Sequence, residues 1–423
     1  ATNVDITNTN NFAIDLSPRT KIGDKYVIEN LTGNGTINVS RFNFVGLAPI
    51  DRNIDFKVFD ATNSTDSIDY AATNQKIFTP IGNYKLKAMG DGIYRASLAD
   101  YNPQVYRGQV ATLAAYNNQL IVNDFLTNRF VLQSEQLIEN TKNANKSSAV
   151  SPILAPYQNT IDDGSVWMRT YASFERLSMT HGLNVGNNTY GTIVGVDMPA
   201  KLLNKGWKFI PTVFLGYNGG NQYFNKVDMY QNGVQGGLMA TFMKHQFISS
   251  IMAYGGGYFN EMNVAGNTDR TGNWFAGAAA KIAYNLKATK YFTIQPNVFV
   301  SYNIFGKQHW HTDYGVMSMN SGLLNGINVA PGVNFIYGRG TWSIYTTVQY
   351  MYNINDHIGG YAGNVNLPSI SMRHGYIQYG FGATKLWKDR LNSYLQITFR
   401  NGGRTGVGFQ LGLRYMFGMK KHK

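Results

Sequence analysis

From about Val166 to Phe417 the chain repeats stretches of roughly ten residues in which every second side chain is apolar, with turn formers between them. Strand side chains alternate between two faces, so each stretch presents one apolar and one polar face. The last stretch sets Val407, Phe409, Leu411, Leu413, Tyr415 and Phe417 against Gly408, Gln410, Gly412 and Arg414. Repeated in this way, the pattern predicts an all-β fold, a closed antiparallel transmembrane barrel with lipid outside and a polar lumen inside.

Period two, bounded by Gly, Asn, Asp and Pro, gives twelve strands, at about 165–177, 188–201, 206–220, 227–243, 246–261, 271–286, 291–305, 323–338, 341–354, 371–386, 390–401 and 404–417. Connections after the even strands are tight, near Asn204-Lys205-Gly206, Lys244-His245, Ala288-Thr289, Gly338-Arg339-Gly340 and Lys388-Asp389. Those after the first, third, fifth, seventh and ninth are longer, with 306–322 and 355–370 the longest. Short turns belong on the periplasmic side of such barrels, which places the start of the first strand and the chain's end there. Pro211 and Pro296 each remove a ladder donor and predict local bulges.

Upstream the period changes. Residues 104–130 repeat apolar side chains on a helical period through Val110, Leu113, Ala114, Leu120, Ile121, Phe125 and Leu126, after a Pro103 suited to a helix start. Gln109, Asn117, Asn118, Gln119, Asn123, Asp124, Asn128 and Arg129 give it a polar side that suits a water-filled pore. About 26 residues would span ~39 Å, enough to cross a membrane through a twelve-strand lumen. The helix lies in a linker, 102–163, whose remainder reads as a tether to a barrel domain at 164–417, followed by a basic tail at 418–423. Residues 1–101 are Asn-, Thr- and Gly-rich β segments such as Ile54 to Phe59, which suit a few rungs of a short β-solenoid and its cap.

Composition narrows the function. Cysteine is absent, excluding disulfides and thiolate sites. No apolar run approaches the ~20 residues of a membrane helix. The 28 Tyr, 24 Phe and 6 Trp fit interfacial girdles. A formal charge of +13 raises nucleic acid, but the cations are scattered rather than clustered in a groove-binding element. Lys201, Lys205, Lys244, Lys287, Lys290, Arg339, Lys385, Lys388 and Arg390 sit at short turns, which suits a membrane surface with anionic headgroups. No signal peptide precedes Ala1, so the sequence reads as a mature form or a fragment.

The order of parts resembles a monomeric autotransporter of Gram-negative bacteria, the type V secretion family, over essentially the whole chain. Tyr84 to Leu98, YKLKAMGDGIYRASL, is similar to the family's passenger junction. Tyr106-Arg107, Ala111-Thr112-Leu113-Ala114 and Thr127-Asn128-Arg129 resemble its linker helix. Gly164-Ser165-Val166-Trp167-Met168-Arg169 resembles its first strand, and Leu411 to Phe417 its last, although chains of the family usually stop at the terminal aromatic and this one continues to Lys423. The resemblance implies a twelve-stranded translocator with the helix through its pore, a passenger at the cell surface, an autochaperone-like segment at 30–101, and insertion by the barrel assembly machinery. A monomer in outer-membrane lipid, with no cofactor, metal or nucleic acid, is the expected state. Other readings are an outer-membrane porin or channel with an accessory domain and, third, a barrel enzyme.

Some autotransporters release the passenger by self-cleavage at an Asn-Asn bond in the linker helix, and Asn117-Asn118 stands at a matching position. The chemistry is attack of the first Asn side chain on its own carbonyl, with Asp197 or Glu175, both of inward parity, as the assisting carboxylate. The chain is otherwise expected not to be an enzyme. His309 and His311 have no third ligand and read as a solvated loop, and His181, His357 and His374 have no recognisable catalytic partners. Gly255-Gly256-Gly257 reads as strand backbone that curves or packs against the helix.

Overall fold

The computed structural model describes residues 1–65, 67–131, 164–264, 266–311, 318–339, 341–387 and 390–417. The expected tether and basic tail lie outside the described residues. Two compact units are present. One comprises Ala1–Gly108, His309–Ser321 and Gly360–Pro368; the other comprises Gln109–Gln308, Gly322–Gly359 and Ser369–Lys423.

The second unit is a closed twelve-stranded antiparallel barrel. Its strands are β1 (Gly164–Ser178), β2 (Asn184–Asp197), β3 (Lys208–Phe224), β4 (Val227–Lys244), β5 (Phe247–Val264) and β6 (Asn267–Tyr284). They continue as β7 (Phe292–Phe305), β8 (Leu324–Arg339), β9 (Trp342–Ile354), β10 (Tyr376–Trp387), β11 (Leu391–Gly402) and β12 (Arg404–Phe417). Each pairs with its chain neighbours, and β12 closes on β1 from Gly164↔Phe417 to Leu177↔Arg404. Alternation is as expected: Leu215, Leu238, Phe259, Trp274, Phe381 and Leu411 are exposed on the outer face, while Asn187, Gln231, Gln235, Asn303 and Arg414 are buried inside. No helix among the described residues is long and apolar enough to cross a membrane. Crossing falls to the strands, whose backbone groups are satisfied by their neighbours.

Two expectations need correction. The connections after the third and fifth strands are not long: β3 and β4 join through Asn225-Lys226, and β6 begins at Asn267, just after β5 ends at Val264. Both turn residues have positive φ, 44° and 66°, matching the twist of a two-residue hairpin. Polar residues such as Asn221 and Gln222 resemble loop, yet they stay in register with β2 and β4, so these strands reach 17 or 18 residues. The excess over the ~10 residues that span a bilayer carries the hairpins beyond it. Long connections do follow β7 and β9.

The prolines behave differently from each other. Opposite Pro211 the neighbouring strand slips by one residue between the pairs Asp197↔Thr212 and Lys201↔Phe209. No slip accompanies Pro296, because its ladder with β8 runs unbroken and the pairs Ala283↔Asn297 and Leu286↔Ile294 share one register.

Within the first unit, parallel pairing stacks Asn3–Ile6, Tyr26–Gly33 and Phe59–Ser64 in one column, and Thr9–Ser17, Thr36–Phe44 and Asp69–Ala72 in another. Asn3 pairs with Asn30 and Asn30 with Asn63, the repeat of a β-solenoid with uneven rungs. Leu16, Leu31, Val39 and Phe42 form its buried interior. An antiparallel sheet of Asn53–Lys57, Ile93–Tyr101, Gly82–Gly90 and Lys76–Phe78 follows, its central hairpin turning at Asp91-Gly92 with both φ positive. Segments read as loops are partly ordered here. His309–His311 pairs with Ser318–Ser321, and Ser321 with Gly360. Trp310 is fully buried over Gly108, where any Cβ would overlap its ring.

The helix in the lumen

After a 3-10 turn at Pro103–Tyr106, α1 runs Arg107–Val131. Asn102 caps the turn by accepting from Gln104 N at 3.2 Å, and Pro103 takes the first position, where no donor is needed. Twenty-five residues make about 37 Å of helix. Every residue of α1 is buried. Its polar side therefore meets wall side chains, not the water-filled passage that its composition suggested.

Charge fixes the helix at several levels. Near its C-terminus Arg129 donates both guanidinium ends to Asp197, at 2.5 Å each. Asp197 also accepts from Ser165 Oγ at 2.6 Å, Thr212 Oγ1 at 2.8 Å and Trp167 Nε1 at 3.1 Å, with Arg414 Nε at 3.3 Å. The Arg129 guanidinium lies 4.2 Å and 4.5 Å from the ring centroids of Phe130 and Trp167. One turn above, Asp124 pairs with Lys281 Nζ at 2.9 Å and accepts from Gln378 Nε2 at 3.2 Å. Higher still, Arg404 Nη1 donates to the Asn117 carbonyl at 2.8 Å. Arg404 and Arg400 both bind Glu175, which also accepts from Ser173 Oγ at 2.6 Å.

Between these pairs lie amides. Asn187 Nδ2 donates to Asn118 Oδ1 at 3.0 Å, Gln119 Nε2 to Gln235 Oε1 at 2.8 Å, Gln231 Nε2 to the Ala111 carbonyl at 2.8 Å and Asn123 Nδ2 to Tyr254 Oη at 2.5 Å. Arg169 donates to the Phe125 carbonyl at 3.1 Å and stacks on Tyr394. Buried polar groups are costly unless paired, so wall and helix are matched residue by residue. The lumen is not polar throughout: Phe130 and Val131 pack with Ile210, Met243, Ile248 and Ala283 in an apolar cluster. These wall residues lie near the ends of β3 to β6 that meet the short turns, so the foot of the helix is sealed by hydrophobic contact.

The structure separates the residues expected to act together. Asn117 and Asn118 sit mid-helix, and Asn117 Nδ2 donates to the Leu113 carbonyl at 2.8 Å. Asp197 is occupied by Arg129, twelve positions on, or ~18 Å along the helix. Glu175 reaches Asn117 only through Arg404. Gly257 has room for a Cβ, one on Gly255 would crowd the Phe275 carbonyl at 3.3 Å, and one on Gly256 would strike the Val234 carbonyl. It is Gly326 that makes room for the helix, since a Cβ there would overlap the Tyr116 ring. His309 and His311 stand with ring centroids 5.1 Å apart, and among the described residues no group of three metal-ligating side chains forms.

Sequence reasoning passed over Lys281, Arg400 and Arg404, and named Arg169 only as part of the first-strand motif. A signal existed in their parity, because a charge at an inward position of a lipid-spanning strand must find a partner inside.

No protein-family model and no curated protein matches the chain. Solved structures do match. The translocator domain of the autotransporter NalP from Neisseria meningitidis superposes with a TM-score of 0.54 at 11% identity, over 75% of this chain and 100% of that one. The transport unit of the autotransporter AIDA-I from Escherichia coli gives 0.50 at 12% identity, over 60% and 90%. The chain has the fold of autotransporter translocator domains, a twelve-stranded transmembrane barrel with, among the described residues, a single α-helix.

Proposed function

We propose that the protein is an autotransporter translocator of a Gram-negative outer membrane, which passes its N-terminal β-region to the cell surface and retains the connecting helix in its lumen. One observation carries this reading: a helix leading from that region toward the first strand is buried along its whole length and hydrogen-bonded to the wall at every level. A channel gains nothing from such matching, whereas a chain that must cross its own barrel once more ends with a segment there. In this reading residues 30–101 act as an autochaperone, the solenoid end folding first as it emerges. Insertion is as a monomer, by the barrel assembly machinery, into lipid.

Surface display is tested with an epitope placed in the Asp91-Gly92 turn. Antibody should label intact cells, and labelling only after the outer membrane is opened would refute display. In planar bilayers the intact chain should conduct poorly and a deletion of 104–148 should open a pore. High conductance of the intact chain would favour the porin reading.

A second proposal concerns release. Asn117 Oδ1 has no hydrogen-bond partner among the described residues, and Arg404 polarises the carbonyl that cyclisation would attack. Attack of Asn117 Nδ2 on its own carbonyl carbon closes a succinimide, breaks the bond to Asn118 and leaves a new amino terminus there. Mass analysis of outer membranes should then find a fragment beginning at Asn118. Recovery of intact chain alone removes this proposal and leaves the translocator reading untouched.

A further inference from the structure

Among the described residues, no hydrogen bond or ion pair joins the short-turn cations Lys290, Arg339 and Lys385 to the helix. On the outer face of β8, β9 and β10 the pairings Arg339↔Trp342 and Trp342↔Lys385 align a cation, an indole and a second cation across three strands. Lys385 Nζ lies 4.2 Å from the Trp342 ring centroid and 3.8 Å from that of Trp387. Arg339 and, from the preceding turn, Lys290 both lie over Tyr291, at 5.9 Å and 5.3 Å. Among the described residues, none of these cations forms an ion pair.

Directly above this row are Tyr337↔Ile344↔Ala383 and then Phe335↔Thr346↔Phe381. Small side chains in the middle, Thr346 and Ala383, lie between aromatic walls, Phe292 stacked on Phe335 on one side and Phe381 on the other. The result is a hollow of about 480 Å³ on the lipid face, its own lining without a cation, and the Arg339–Trp342–Lys385 row lies two residues along the strands from its Tyr337–Ile344–Ala383 edge. A second hollow of about 460 Å³, lined by Tyr190, Tyr217, Phe409 and Leu411 at the β12–β1–β2 seam, likewise has no cation in its lining, and the outward row next to it toward the short turns, Val194, Met168 and Leu413, is apolar. Size and apolarity are thus shared, and the charge of the flanking row is what differs.

We propose that the β8–β10 hollow is a binding site for an anionic glycerophospholipid. Its phosphate sits between Arg339 and Lys385 against Trp342, and an acyl chain runs up the groove over Thr346 and Ala383. Charge complementarity selects the occupant: a zwitterionic lipid brings its own cation to the same corner, and a free anion leaves the apolar groove unfilled. The inference rests on the membrane orientation proposed above, which puts short turns and this corner at the periplasmic leaflet. Lipid bound here would brace the strands whose inner faces supply Gln349 and Gln378 to Asp124.

Native mass spectrometry tests the site on folded full-length protein, offered equal amounts of phosphatidylglycerol and phosphatidylethanolamine with identical chains. Phosphatidylglycerol should be retained in preference, by roughly five-fold for each cation. Arg339→Gln with Lys385→Gln should bring the two lipids to parity, while Thr346→Phe with Ala383→Phe should lower retention of both. Heat-modifiable gel migration verifies that each variant is folded and is independent of whether the N-terminal region reaches the cell surface. Equal retention by the unaltered protein, a preference that survives the double cation variant, or stronger capture of lipopolysaccharide would each overturn the site.

Discussion

The solenoid and the barrel use the same alternation in opposite senses. In the N-terminal unit Leu31, Val39 and Phe42 turn inward and asparagines stack outside, with Asn30 Nδ2 donating to Asn3 Oδ1 and Asn63 Nδ2 to Asn30 Oδ1, each at 2.8 Å. Across the barrel, leucines and aromatics turn outward and the amides are buried. The solvent decides the sense: water accepts the Asn ladder and expels the leucines, whereas lipid does the reverse and leaves the interior to be filled by a helix with its own polar partners. One unit is therefore held by burial of apolar area, and the other by polar pairing inside.

The comparison breaks most severely at Arg129. Replacing it with Ala leaves Asp197 buried with its main counter-charge gone, and breaking such a pair costs about 3–5 kcal/mol. The temperature at which the barrel loses its folded gel migration should fall sharply, with bilayer conductance rising as the helix foot loosens. Arg129→Met combined with Asp197→Asn and Arg414→Met should be milder than Arg129→Ala, because Asp197 leaves together with both of its cations. A triple variant worse than the single would mean that packing, not charge, holds the helix.

The corresponding test in the solenoid is Leu31→Ala. That side chain is fully buried in the middle strand of its column, and its truncation should cost about 2–5 kcal/mol. Hydrogen exchange should accelerate in Tyr26–Gly33 and its neighbours with the barrel unaffected. If barrel strands exchange faster as well, the two units do not fold independently.

These contrasts mark what the sequence could reveal. Strand parity was legible because lipid keeps the outer face mostly apolar, so Val407 to Phe417 could be assigned without knowing any partner. Strand length was not: Asn221 and Gln222 read as loop, since a residue facing a filled lumen and one facing water have the same composition. The inward parity of Asp197 and Glu175 was also readable. Their partners were not, because Arg129–Asp197 is set by how deep the helix sits and Arg404–Glu175 by the register in which β12 closes on β1, and no local pattern encodes either. Solenoid pairing was hidden similarly, since Asn3, Asn30 and Asn63 are separated by unequal intervals.

Smallest in effect, and specific to the solenoid's cap, is the Asp55–Arg95 pair on adjacent strands, with Arg95 Nε donating to Oδ1 at 2.6 Å and Nη2 to Oδ2 at 2.8 Å. The Arg95 hydrogen bond holds the Asp55 carboxyl below its ordinary value of 3.8, burial opposing it only in part. A depressed carboxylate contributes stability that is complete above its unfolded pKa and is lost as pH falls through the folded one. Exchange in Ile93–Tyr101 should therefore quicken as pH drops below about 3.8, after correction for intrinsic rates, and Arg95→Gln should flatten that response. The two carboxylates paired with Lys25 and Lys76 share the same sign and keep theirs in the variant. Because the pair is solvent-exposed, the change should be far smaller than at Arg129, and an equal loss would mean that exposure does not separate the two kinds of ion pair.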